Sequence, residues 1–293
     1  MGFAKFLGVG FLALCTPAVA MDFGSLVEPS DLASASTAQV LDIRAPKAFA
    51  EGHLEGAVNI PYGQFRGPRE NPGRMPDVAF LESVLEQGGL RQDAPVVVVS
   101  QGNSATDFGA TARVYWQLKS LGFEKLSILN GGVQAWGASG LALSTVPHSP
   151  EPSSLDLTFD DTWFIDRAGV QGVVNGTSEA VLLDARPHAF FEGQQKHPAA
   201  ALAGTLAGAL NISHDTWFLG EDPMIRPQEA DLARIRTLVA DAGGAPLVSF
   251  CNTGHWAATN WFVASELAGV KDVKLFPESM VGWTLARLPI VGG

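Results

Sequence analysis

The chain is written twice. Val40–Tyr62 reads VLDIRAPKAFAEGHLEGAVNIPY, and the second half repeats its order in two pieces. These are LLDARPHAFFEG (Leu182–Gly193) and, after a polar, alanine-rich insertion, GTLAGALNISH (Gly204–His214). Each copy gives an apolar run, Asp-x-Arg, an aromatic shortly before a glycine, then Gly-Ala-(Val/Leu)-Asn-Ile. Further on, VVVVS (Val96–Ser100) corresponds to PLVSF (Pro246–Phe250), and LGFEKLSILNGG (Leu121–Gly132) to AGVKDVKLFPES (Ala268–Ser279). Likeness spread over a whole half signals duplication of a domain and excludes a short solenoid repeat. A length of 293 residues accommodates two domains of ordinary size.

The joint between the copies is LSTVPHSPEPSSLDLTFDD, Leu143–Asp161, with three prolines among small polar residues. That composition predicts a solvated linker over 148–159, between a first domain at 22–147 and a second at 160–293. Inside each copy, continuous apolar runs such as VVVV and LVSF suit strands buried on both faces of a parallel sheet. ADLARIRTLVADAG, Ala230–Gly243, sets Leu232, Ile235, Leu238 and Val239 on one helical face, with Gly243 and Gly244 ending it. The alternation predicts two α/β domains, each a central parallel sheet flanked by helices.

Charge and targeting narrow the setting. A net charge of −11 without long charged runs repels nucleic-acid phosphates and anionic lipid headgroups, so neither nucleic acid nor membrane is an expected partner. MGFAKFLGVGFLALCTPAVA, residues 1–20, has Lys5 before an apolar core and ends in Ala18-Val19-Ala20, the pattern of a cleaved secretory signal. A periplasmic location is the expectation. Leu14 is too bulky before Cys15 for a lipoprotein signal. Cleavage removes Cys15 and leaves Cys251 alone. An unpaired cysteine in an exported chain is a reactive thiol, an intermolecular bridge or a buried inert residue.

The surroundings of Cys251 point to reactivity. It directly follows the apolar strand LVSF, at the carboxyl edge where open α/β sheets bind ligands. Asn252-Thr253-Gly254-His255-Trp256-Ala257 then leads into a helical pattern, ATNWFVASEL. Such a loop can turn successive N–H groups inward, and the helix start adds its positive end. A thiol at the centre is drawn toward thiolate. Gly254 supplies the positive φ that a tight cradle needs.

These motifs together, in duplicate and with one cysteine, resemble the tandem-domain rhodanese family over nearly the whole chain after residue 20. The resemblance implies a sulfurtransferase: a thiolate takes the outer sulfur of a donor such as thiosulfate or mercaptopyruvate, becomes a persulfide, and is discharged by a thiophilic acceptor. It implies Cys251 as the nucleophile, the loop from Asn252 to Ala257 as its cradle, and no cofactor, since the protein itself carries the sulfur. It also implies a first domain without the cysteine, and SQGNSATDFG, Ser100–Gly109, has none. Thr253 has a hydroxyl to offer the sulfur.

Several residues keep two readings. His255 either partners an anionic donor or caps the loop; Trp256 is an acceptor rim or an interface residue. Arg186 contacts substrate or forms a structural ion pair with Asp184, and the repeat of that pair as Asp42 and Arg44 in the cysteine-free copy favours the pair. Arg66, Arg69 and Arg74 either cross to the site or lie in a solvated loop. The loop lacks the basic residues of many thiosulfate-preferring relatives and also the small Cys-Gly-Ser-Gly type of mercaptopyruvate-preferring ones, so the donor stays open. Gly282 stands where the family commonly has an acid. A cysteine phosphatase would need an arginine six residues after the cysteine, where Ala257 stands. A non-enzymatic sulfur carrier or binding module is the remaining alternative. One cysteine with scattered histidines makes no zinc ligand set.

Overall fold

The computed structural model describes residues 23–35 and 37–292. The predicted signal, residues 1–20 with Cys15, lies outside them. Nine strands form: β1 (Leu26–Val27), β2 (Gln39–Asp42), β3 (Val58–Asn59), β4 (Val96–Val99), β5 (Leu126–Leu129), β6 (Val181–Asp184), β7 (Leu210–Asn211), β8 (Leu247–Phe250) and β9 (Val273–Leu275). They make two sheets, ordered β1-β5-β4-β2-β3 and β7-β6-β8-β9, with every pair parallel. The orders superpose as β5-β4-β2-β3 on β9-β8-β6-β7, so the repeat is one of topology as well as sequence. In the second sheet a parallel bridge from Phe164 to Leu275 takes the place of β1.

Burial explains which runs became central. All four residues of β4 and of β8 are buried, as expected of β-branched and apolar strands covered by helices on both faces. The register corrects the sequence alignment by one residue. Asp42 pairs with Val99 and Asp184 with Phe250, so Val96–Val99 matches Leu247–Phe250 and Ser100 stands opposite Cys251. A four-residue apolar strand has no internal mark to fix such a slip.

The linker also departs from expectation. It is not solvated along its length. Ser153 N–H donates to Glu86 O (3.0 Å), Leu155 N–H to Glu86 Oε1 (2.8 Å) and Leu157 N–H to Glu82 Oε2 (2.7 Å). Leu157 is buried in the main core. The segment is strapped along the helix Val78–Gln87, whose acidic side chains satisfy the amides that prolines and small residues leave unpaired.

The expected helix near 230–243 runs Glu229–Asp241, with Ile235 buried and Leu232, Leu238 and Val239 packed beside it. Two other helices determine the site. Ala105–Ser120 is buried on nearly every side, and its chief partner is Trp256–Phe262, the helix after Cys251. Phe108 and Tyr115 of the first meet Phe262 edge-on at 5.5 and 5.1 Å. One apolar cluster thus runs from Leu41 and Phe65 through Phe108 and Trp116 to Trp261 and Leu275. The helix Ala105–Ser120 lies inside a core shared between the copies, and it buries polar Thr111, Arg113, Gln117 and Ser120 along with its apolar residues. Among the described residues no helix is long and apolar enough to cross a membrane.

Candidate active site

Cys251 leaves β8 one residue beyond the Asp184–Phe250 pairing, at the carboxyl edge of the second sheet, and is buried. The loop after it is held from below by the helix Ser279–Leu285. Met280 N–H donates to Cys251 O (3.1 Å) and Val281 N–H to Asn252 O (3.0 Å). The Ser279 hydroxyl accepts from Cys251 N–H (3.0 Å) and Gly254 N–H (3.2 Å) and donates to Phe276 O (2.8 Å). Among the described residues no protein acceptor takes the N–H groups of Asn252, Thr253, His255 or Trp256. That leaves four free donors in the loop directly after the cysteine, the makings of an anion nest.

Gly254 is required twice over. Its φ is 68°, and a Cβ there would run into Arg113 Nη1 and come within 2.5 Å of Pro277 O. Ser279 also has a positive φ, 50°. Its counterpart in the first copy is Gly132, at 56°, where Val133 N–H and Gln134 N–H donate to Ser100 O and Gln101 O in the same pattern. A serine in a glycine's conformation marks a hydroxyl needed in that place.

The upper wall of the loop comes from the first domain. His255 Nε2 lies 2.7 Å from Thr106 O, which can only accept, so Nε2 carries the proton. Nδ1 then accepts from Tyr62 O–H (2.9 Å), and Tyr62 in turn accepts from Arg66 Nη1 (3.0 Å). Burial, aided by the Arg66 charge, pushes His255 down to about 3, so the ring is neutral. Gly109 leaves room for it: a Cβ there would meet the imidazole at 2.9 Å. Trp256 stacks on His214 (4.5 Å), meets Phe190 edge-on, and donates from Nε1 to Thr106 Oγ1 (3.2 Å). Tyr62 and His214 are equivalent residues of the repeat, and they flank His255-Trp256 from opposite domains.

Arg113, fully buried on the Ala105–Ser120 helix, reaches the same loop. Its Nη1 is 3.5 Å from Gly254 O, and Nη2 donates to Gly73 O (3.1 Å). Arg69 and Arg74 are exposed, whereas Arg66 is half-buried against Tyr62. A cavity of about 430 Å³ over the strand ends of the first domain is lined by Arg44, Tyr62, Ser100, Gln101, Asn103 and His255. It adjoins the cysteine's loop only through His255.

Asp184 and Arg186 form a buried ion pair, with Nη2 2.6 Å and Nε 2.9 Å from the carboxylate. Thr205 Oγ1 donates to Asp184 (2.7 Å), and Arg186 Nη2 donates to Gly204 O (2.9 Å). Asp42 and Arg44 repeat the arrangement, with Gly52 O as the carbonyl. Its role in holding the strand end is therefore common to both copies. Breaking such a pair costs about 3–5 kcal/mol. Asn252 stands where Gln101 accepts from Arg44 Nη1 (3.1 Å), but it is one methylene shorter, and its Oδ1 is buried without a partner. The missing acid at Gly282 also has an account: the Glu278 carboxylate lies over it, 2.6 Å from where a Cβ would sit, and accepts from Asn71 and Arg167.

Tyr62, Thr106, Arg113 and Ser279 were not among the residues expected at the site. Two carried a signal. Ser279 falls opposite Gly132 in the repeat, and Arg113 is a lone charge inside ATARVYW.

The fold and site define a duplicated α/β protein whose one cysteine among the described residues sits on an amide-lined loop, walled by its cysteine-free copy. The rhodanese-like domain family matches residues 28–139 and again 170–286. The thiosulfate sulfurtransferase of Pseudomonas aeruginosa is 30% identical over 270 residues, covering 89% of this chain and 94% of that one. A probable 3-mercaptopyruvate sulfurtransferase of the same organism is 34% identical over 221 residues, 75% of each. The crystal structure of SseA from Escherichia coli, a 3-mercaptopyruvate sulfurtransferase, superposes with a TM-score of 0.69 at 20% identity, over 87% of this chain and 98% of that one. The chain belongs to the rhodanese family of sulfurtransferases, with two copies of the domain.

Proposed function

We propose that Cys251 carries sulfur from thiosulfate, or a similar sulfane donor, to a thiophilic acceptor such as cyanide or a thiol. The Cys251 thiolate attacks the donor's outer sulfur. A sulfur–sulfur bond forms to the protein as the donor's own breaks, sulfite leaves with the bonding pair, and the total charge is unchanged. The persulfide then gives its outer sulfur to the acceptor and returns the thiolate. The observation that carries this reading is that the N–H groups of Asn252, Thr253, His255 and Trp256, in the loop directly after the cysteine, have no protein acceptor among the described residues; free amides of this kind can hold a sulfur anion and then a persulfide. No cofactor takes part. The signal pattern of residues 1–20 supports action in the periplasm.

Intact mass of the protein before and after thiosulfate, then after cyanide, with Cys251→Ser alongside, tests it. The expected result is a gain of one sulfur atom, lost to cyanide as thiocyanate and absent in the variant. Gain from mercaptopyruvate alone would move the donor assignment. Gain from no donor would leave a binding module.

A further inference from the structure

Arg113 has no negative partner among the described residues. Its guanidinium donates to Gly73 O, lies 3.3 Å from Met75 Sδ and sits over the Trp116 ring at 5.0 Å, while its Nε is buried without an acceptor. No carboxylate pairs with it among the described residues. A buried, unpaired cation is strongly unfavourable, so such a group persists where function brings it a counter-charge. The ionisable groups within electrostatic reach are Arg66, Tyr62 and Cys251. Arg66 is itself a cation. Tyr62 is a neutral phenol donating to His255, and burial pushes its ionisation further up. Only Cys251 remains to hold negative charge. Gly254 completes the geometry, since any side chain there would push the guanidinium off the loop.

We propose that Arg113 is the counter-ion of the Cys251 sulfur: the cysteine-free domain supplies the positive charge that holds thiolate and persulfide and favours an anionic donor on a loop with no cation of its own. This rests on the reading of Cys251 as the sulfur carrier. It also gives the first domain a task in the reaction. The active loop itself offers only His255, which is neutral and bonded at both ring nitrogens.

The test compares persulfide formation, followed by rapid-quench intact mass, from thiosulfate (a dianion) and methanethiosulfonate (a monoanion). Both donors surrender an outer sulfur, with sulfite or methanesulfinate leaving. Arg113→Met removes the charge and keeps an apolar stem; Arg113→Lys keeps the charge. The expected loss in the Met variant is about a hundredfold with thiosulfate and about tenfold with the monoanion, and Lys recovers most of it. A folded Met variant with no loss, or with equal loss toward both donors, overturns the proposal. So does a Lys variant as slow as Met. Because Arg113→Met removes interface contacts, Cys251→Asp and Cys251→Asn are compared with Arg113 intact. Cys251→Asp melts above Cys251→Asn if Arg113 awaits an anion, and the reverse order overturns the proposal. Wild-type protein that accepts no sulfur from either donor fails the carrier reading instead, and the Asp–Asn order still judges Arg113.

Discussion

Ser279 holds the cysteine's loop through one oxygen. Its φ of 50° costs an L residue about 1–2 kcal/mol, and Gly132 shows that glycine fills the equivalent position without that cost. In return the hydroxyl accepts from both Cys251 N–H and Gly254 N–H, which are otherwise buried without acceptors. Ser279→Ala keeps the strain and loses the acceptor, for an expected loss of about 1–3 kcal/mol. Ser279→Gly loses the acceptor but relieves the strain, so it should melt between wild type and Ser279→Ala. Both should lose turnover, because the loop amides are no longer held in their cradle. Thermal melts and steady-state kinetics check this order. A glycine variant less stable than the alanine variant refutes it.

At the scale of elements, the loop Cys251–Trp256 is latched to the helix Ala105–Ser120 through His255, and that latch is pH-sensitive. His255 is held down to about 3 from an ordinary value near 6.5. The unfolded chain therefore binds a proton at this site between those values while the folded chain does not. The stability contributed by neutral His255 is full above about pH 6.5 and is lost progressively as pH falls toward 3. Melting temperatures of wild type and His255→Gln between pH 4 and pH 8 should accordingly differ in slope below about pH 6.5, with the glutamine variant flatter. His197 and His214 are also lowered by burial and act in the same direction in both proteins, so the difference isolates His255. Much of this scale was legible in the sequence. β4 and β8 are apolar runs, Cys251 follows one of them directly, and the Asp-x-Arg pair was written in both copies. The latch was not legible. Tyr62, Thr106 and Arg113 stand 193, 149 and 141 residues from their partners in the loop, and no local pattern encodes a contact made by docking two domains. His255 read two ways because its sequence neighbours are in the loop while its bonding partners are in the other domain.

At the scale of the whole molecule, one large core cluster is shared by the two sheets, and a smaller one is confined to each copy. Glu266 of the second domain accepts from Tyr115 (2.8 Å) and Lys119 (3.0 Å) of the first, and Asn130 exchanges bonds with the Ile225 backbone. Beneath them Ala257–Phe262 is buried against Phe108 and Tyr115. Each large apolar side chain uncovered by separating the domains costs about 1.5–3 kcal/mol. Residues 160–293 produced alone should therefore be aggregated or poorly folded and without sulfur transfer, and co-production with residues 22–147 should restore both. Light scattering, circular dichroism and thiocyanate formation check it, and an active, well-folded isolated second domain contradicts it. The superposition of Ser100 on Cys251 and Gly132 on Ser279 carries one more consequence. Ser100→Cys would give the first domain a thiol but no hydroxyl beneath it. A serine at 132 introduced first would bring its Cβ against Ser100 O and to 3.0 Å from Gly102 N. Those neighbours are backbone atoms that Ser100→Cys leaves in place, so neither exchange nor the two together rebuilds the thiol's loop in the first copy without moving its backbone, and that copy serves as a wall.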